Sequence, residues 1–184
     1  AWTDDRFTTP LSLDELTQKT SGGFDTADRV DINDPSKIVA RVVTLKSFDP
    51  NSVIKLRIKE EWVFDRESSR MFCRILGIAP IETKYNENGQ ERGSSVMFWI
   101  YYPDLRPTLT KYEVYNPKNM GQSRMTWEEL FESRMFSSYI LKSTMDNASN
   151  KNIRQYITDP ILRLLEGDNI KEKIFNFEQD LWSY

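Results

Sequence analysis

Histidine is absent from the 184 residues of this chain. That absence removes Ser–His and Cys–His catalysis and the commonest transition-metal ligand together. There is one cysteine, Cys73, so an intrachain disulfide and a cysteine zinc site are excluded as well. Cys73 alternates with Met71, Ile75 and Gly77 in RMFCRILGIAPI. That setting reads as a small buried hydrophobe, with a reactive thiol as the alternative. No apolar run approaches the roughly 20 residues of a membrane-crossing helix. There is no GxGxxG, phosphate loop or nucleophile elbow. Charges of both signs are frequent but nearly cancel, leaving a net charge of -3. Such a balance gives no long-range attraction for phosphates, which sets nucleic acid aside as a partner. No cofactor or metal is expected.

Aromatic residues, by contrast, are abundant. The stretch VMFWIYYPDLRPTLTKYEVY, residues 96–115, gathers Phe98, Trp99, Tyr101, Tyr102, Tyr112 and Tyr115 around one proline-bounded turn. Its first half is apolar on both alternating faces, so both must be covered. It belongs to the middle of a fold or to a surface where another chain docks. The tail IFNFEQDLWSY adds Phe175, Phe177, Trp182 and Tyr184. Chain ends fray unless docked. This one is expected to dock, either on its own fold or, as Trp and Tyr favour, on a neighbour. Phe98, Trp99, Tyr101, Tyr102, Trp182 and Tyr184 are therefore the candidate interface residues.

The length suits one domain, which would bury about 70% of its unfolded surface. Residues 1–36 are polar and turn-rich. Ser12 and Glu15 predict a capping box for a short helix, LSLDELTQK, ended by Ser21-Gly22-Gly23. Asp31 to Ser36 predicts a loop. From about 37 to 116 the period is two. Strands are expected at 38–45, closed by Asp49-Pro50-Asn51, and then at VIKLRIKEEWVF. There Ile54, Leu56, Ile58, Trp62 and Phe64 form a dry face opposite Lys55, Arg57, Lys59 and Glu61. A strand at 70–81 turns at Asn88-Gly89 into 96–102, and 108–115 completes a meander of about five strands. From about 126 to 184 the period is 3.6. Thr126 and Glu129 cap TWEELFESRMFSSYILK, whose apolar face runs nearly all round. A turn is expected at 153–157, and Asp159-Pro160 starts a helix. Gly167 is expected to end it and Asp168 to open a last one, with Ile170, Ile174, Phe177 and Leu181 at helical spacing. Strands before helices make an α+β fold with C-terminal helices packed on the sheet, in one domain over 37–184.

Paired acids give little chemistry. Glu60 and Glu61 point to opposite faces of a strand. Glu60 falls on the dry side between Ile58 and Trp62. A carboxyl there either has a raised pKa suited to general-acid work or pairs with an arginine such as Arg74. Glu128 and Glu129 are first-turn residues that complement a helix dipole. No spacing selects the two facing carboxyls of a glycosidase. Asn86-Glu87-Asn88-Gly89 lacks the rest of a calcium loop. Asn147-Ala148-Ser149 is a weak match to a glycosylation acceptor.

The chain resembles the GldN/PorN family. The resemblance runs over IKEEWVFDRESSRMFCRILGIAPI, MFWIYYPDLRPTLTKYEVYNPKN, TWEELFESRMFSSYILK and IKEKIFNFEQDLWSY, long aromatic-rich blocks in the family's order. It implies a non-enzymatic periplasmic part of the type IX secretion and gliding-motility machinery of Bacteroidetes. It also implies a ring formed with a GldK/PorK-type lipoprotein under the outer membrane, in contact with the GldM/PorM motor subunit. Family members carry an upstream signal peptide and a further N-terminal segment. The chain begins at Ala1 without either, and so reads as a fragment. Two other readings stand beside this one. A glycan- or peptide-binding module would show saturable quenching of Trp fluorescence by its ligand. A carboxylate hydrolase would lose turnover in Glu60→Gln.

Overall fold

The structure is a computed structural model that describes residues 1–21, 24–30, 38–45, 48–86, 88–116 and 124–181. The chain divides into two compact units, the first comprising 1–60 and 75–107 and the second 61–74 and 108–184. Antiparallel strands combined with helices, one of them C-terminal, make the fold α+β, as expected.

In the first unit, α1 (Leu13–Thr20) is closed by the predicted capping box: Ser12 Oγ accepts from Glu15 N, and the Glu15 carboxylate accepts from Ser12 N. β1 (Phe24–Val30) pairs antiparallel with β2 (Ile38–Leu45). β1 was not expected, because FDTADRV carries charge on both alternating faces and offers no dry stripe. The predicted loop at 31–36 lies outside the described residues. Asp49 then caps a 3-10 turn, Pro50–Ser52. β3 (Val53–Asp65), β4 (Arg70–Tyr85) and β5 (Glu91–Val96) form one sheet in that order. β3 and β4 each run from one unit into the other. The Asn88-Gly89 turn is present: Gly89 has φ 72°, and Asn86 N donates to Gln90 O at 2.8 Å. A left-handed φ costs glycine least, which fixes the turn there.

The expected meander departs after β5. Beyond Val96, which ends β5, only β6 (Ile100–Tyr101) of 97–102 is strand, paired with β4 through Gly77↔Tyr101 and Ile78↔Ile100. The chain then enters α2 (Tyr102–Leu109) instead of turning. Pro103 sits in the first helical turn, where a missing N–H costs nothing, and Asp104 complements the dipole there. Ile75, Ile78, Ala79, Met97, Trp99 and Tyr102 are buried in this unit. The N-terminal residues join it. Trp2 exchanges two 2.8 Å backbone bonds with Trp99. Phe7, held at φ 58°, lies edge-on to Tyr101 with centroids 5.4 Å apart. Gly77 makes room for it, since a Cβ there would fall 2.5 Å from Phe7 Cζ.

In the second unit, β7 (Glu113–Val114) pairs with β8 (Met125–Thr126), so 108–115 is not a fifth meander strand. Thr126 caps α3 (Trp127–Glu132) through the predicted box with Glu129. α3 stops ten residues short of the expected helix over 126–142. Ser133 Oγ bonds back to Glu129 O, and Arg134 takes φ 53°, a conformation that ends a helix. Ile153–Gln155 is the expected turn. Asp159 Oδ1 accepts from Ile161 N and Leu162 N and starts α4 (Pro160–Leu181). α4 is continuous through Gly167, about 33 Å long at 1.5 Å per residue. Gly167 is a packing position, facing Ile140 O at 3.5 Å across a hypothetical Cβ. Strong helix formers before it, Leu164 to Glu166, and after it from Lys171 to Lys173 carry the helix through it.

Candidate partner interface

The side chains expected at an interface divide by burial. Trp99 is 6% exposed and Tyr102 2%, so both build the core of the first unit. Phe98, just before Trp99, is half-buried, and Tyr101 is 38% exposed. Tyr101 is anchored by Phe7, whose ring also carries the Lys59 ammonium 5.4 Å above its centroid. Lys59 donates in turn to Asp5 O. Trp182 and Tyr184 lie outside the described residues.

Much of the exposed apolar surface lies elsewhere. In the first unit, Ile54 and Leu56 on β3 are exposed. The stripe that alternation marked as dry therefore faces water there. In the second unit, Trp62, Phe72, Tyr112, Tyr115, Trp127 and Tyr139 are exposed. Along α4, Ile161, Leu162, Leu164, Leu165, Phe175 and Phe177 are exposed, while Gly167 and Ile170 are buried. Phe177 was expected on the packed face with Ile170 and Ile174, and it is not buried. The sequence did carry a signal for this surface: 161–165 is too apolar for a helix with one buried face.

One cluster organises the exposed rings of the second unit. The Arg134 guanidinium sits 5.5 Å from the centroid of Trp62 and 5.7 Å from that of Phe136. It also donates to Cys73 Sγ at 2.9 Å. Phe131 contacts Phe136 at 5.8 Å and Trp127 at 6.0 Å. The weakly hydrated guanidinium stacks readily on aromatic faces, so these contacts tie the 61–74 segment to the chain just after α3. Cys73 is half-buried in this contact, not enclosed among hydrophobes.

The features raised as candidate chemistry have structural explanations. Asn147 Nδ2 donates to Ser143 O and Lys151 O, and its Oδ1 accepts from Lys151 N. The glycosylation-like triplet thus folds a loop. Glu60 is half-buried and is not an isolated carboxylate. Hydrogen bonds hold three carboxyls below their ordinary pKa values. The Thr8 hydroxyl and amide hold Asp4 down, Ser12 holds Glu15 down, and the Ser68 hydroxyl and the Glu67 amide hold Asp65 down. Among the described residues, no group of three or more His, Cys, Asp or Glu converges as a metal site. None of their helices is long and apolar enough to cross a membrane.

The arrangement exposes apolar and aromatic area in quantity, a kind of surface that protein contacts use. No curated protein matches the chain. A family model described as gliding motility associated protein GldN matches residues 1–183, essentially its full length. The resemblance carried by the four aromatic blocks is thereby established, and the chain belongs to the GldN family, components of the gliding-motility and type IX secretion machinery.

Proposed function

We propose that this chain is a non-catalytic structural component that builds a periplasmic ring with a GldK/PorK-type lipoprotein and contacts a GldM/PorM-type motor subunit. The observation that supports this most is the exposed apolar surface of the second unit, on α4 and around Trp62 and Trp127. Exposed apolar residues in that number mark protein contact surfaces. Phe98, Tyr101, Trp182 and Tyr184 are the residues assigned to neighbours. Trp99 and Tyr102 act from within, holding the Phe98–Tyr101 backbone in place. A head-to-tail contact that closes on itself gives a ring.

The test is to size the chain with its candidate lipoprotein partner at low and high salt, by light scattering coupled to gel filtration. Large co-assemblies that persist in high salt support a largely apolar contact. A chain that stays solitary beside a correctly folded lipoprotein contradicts the proposal.

A further inference from the structure

α4 is apolar on two opposite sides. At 3.6 residues per turn, Ile161, Leu164, Leu165, Asp168, Glu172 and Phe175 fall within roughly a 100° arc. Ile170 and Ile174 fall on the opposite side, buried and half-buried, and the buried Gly167 lies between the two sides. The four apolar members of the outer arc are between 51% and 70% exposed. A helix apolar on both sides is built to be enclosed.

Charge on the helix says what encloses it. Every cation of α4 is already engaged within the chain. Arg163 donates to Ile157 O and Thr158 O, Lys171 pairs with Asp168 at 3.3 Å, and Lys173 pairs with Asp146 at 3.1 Å. Glu172 on the arc, and Glu178 and Asp180 flanking it, have no cationic partner among the described residues. The outer face is thus apolar with an excess of unsatisfied negative charge.

We infer that the outer face of α4 seats a basic amphipathic helix of another protein, with apolar residues at i, i+3 or i+4, and i+7, and Lys or Arg beside them. A helix is the suitable form because α4 satisfies its own backbone and offers no sheet edge for strand addition. Its ridges accept another helix instead. A second copy of α4 packed in parallel would bring Glu172, Glu178 and Asp180 against their own kind, and one packed antiparallel would supply them no free cation. An anionic lipid surface would be repelled in the same way. The inference uses α4 alone and stands whether or not the chain forms a ring with a lipoprotein.

The test uses the full chain and two synthetic 18-residue helical peptides, both with Leu at heptad a and d. One carries Lys at e and g and the other Glu. Fluorescence anisotropy reads binding at low salt, and hydrogen exchange maps it. The basic peptide is expected to bind at least tenfold more tightly than the acidic one and to protect amides within 161–178. The double variant Leu164→Ser/Leu165→Ser, exposed positions that leave the melt unchanged, is expected to weaken it at least tenfold. The double variant Glu172→Lys/Asp180→Lys is expected to reverse the preference toward the acidic peptide. Equal binding of both peptides, protection outside α4, or no reversal in the charge variant overturns the assignment. So does loss of self-association in Leu164→Ser/Leu165→Ser without loss of peptide binding, which would give the face to a second copy.

Discussion

In the first unit, Trp99 and Tyr102 are buried with Met97, Ile75 and Ile78, and the N-terminal residues add Phe7 against Tyr101. In the second, Phe131 and Met125 are buried, while Trp62, Tyr112, Tyr115, Tyr139 and the outer residues of α4 remain in water. Both units bury some apolar residues and expose others, but the large rings are mostly enclosed in the first and mostly exposed in the second. A folded chain can leave some apolar area exposed, but large contiguous patches on one region are unusual for a solitary molecule. Under the proposed function, the second unit presents that exposed area to partners.

That contrast predicts opposite outcomes for similar truncations. Tyr102→Ala removes a fully buried ring and should cost about 3–5 kcal/mol in denaturant unfolding. Leu165→Ser, at an exposed position, should stay within about 0.5 kcal/mol of the parent while weakening partner binding. Equal destabilisation by the two would erase the distinction. Gly77→Ala drives a Cβ into Phe7 and should cost about 1–3 kcal/mol, the range for overpacking. Gly167→Ala should do the reverse. Its Cβ meets Ile140 only at ordinary contact distance, so the helix propensity of alanine should stabilise α4 by about 0.5–1 kcal/mol. Removing the α3 cap with Thr126→Ala should cost about 1 kcal/mol.

The smallest effect concerns pH. Asp4, Glu15 and Asp65 have carboxyls held below their ordinary values in the folded chain. Between the folded and unfolded values the unfolded state binds more protons, so stability rises with pH there. The contribution is fully present above the ordinary carboxylate range and is lost as pH falls through the lowered values. With no histidine to titrate, the melting temperature should be flat from about pH 6 to 8. A step in that interval would point to a titrating group outside this account.

What the sequence disclosed depended on how local each determinant is. The boxes at Ser12 and Thr126, the Asn88-Gly89 turn and the Asp159-Pro160 start are set by a few adjacent residues, and all four appear as read. The end of α3 at Arg134 was not legible, because the arginine is fixed by Trp62 and Cys73, which are distant in sequence. The continuity of α4 through Gly167 was hidden for a related reason: its packing partner is Ile140. The candidate interface was legible as composition but not as placement. Alternation marked Ile54 and Leu56 as apolar without revealing that nothing among the described residues buries them. Trp99 and Tyr102 carried the same aromatic signal as Tyr101 and proved to be core.

Hydrogen exchange on the chain, free and assembled with its machinery partners, tests the division of labour most directly. Amides of 75–81 and 97–102 should be protected in both states. Those of α4 should exchange faster in the free chain and slow at least tenfold on assembly. Unchanged exchange throughout the second unit, in an assembly shown to contain the chain, would contradict the account.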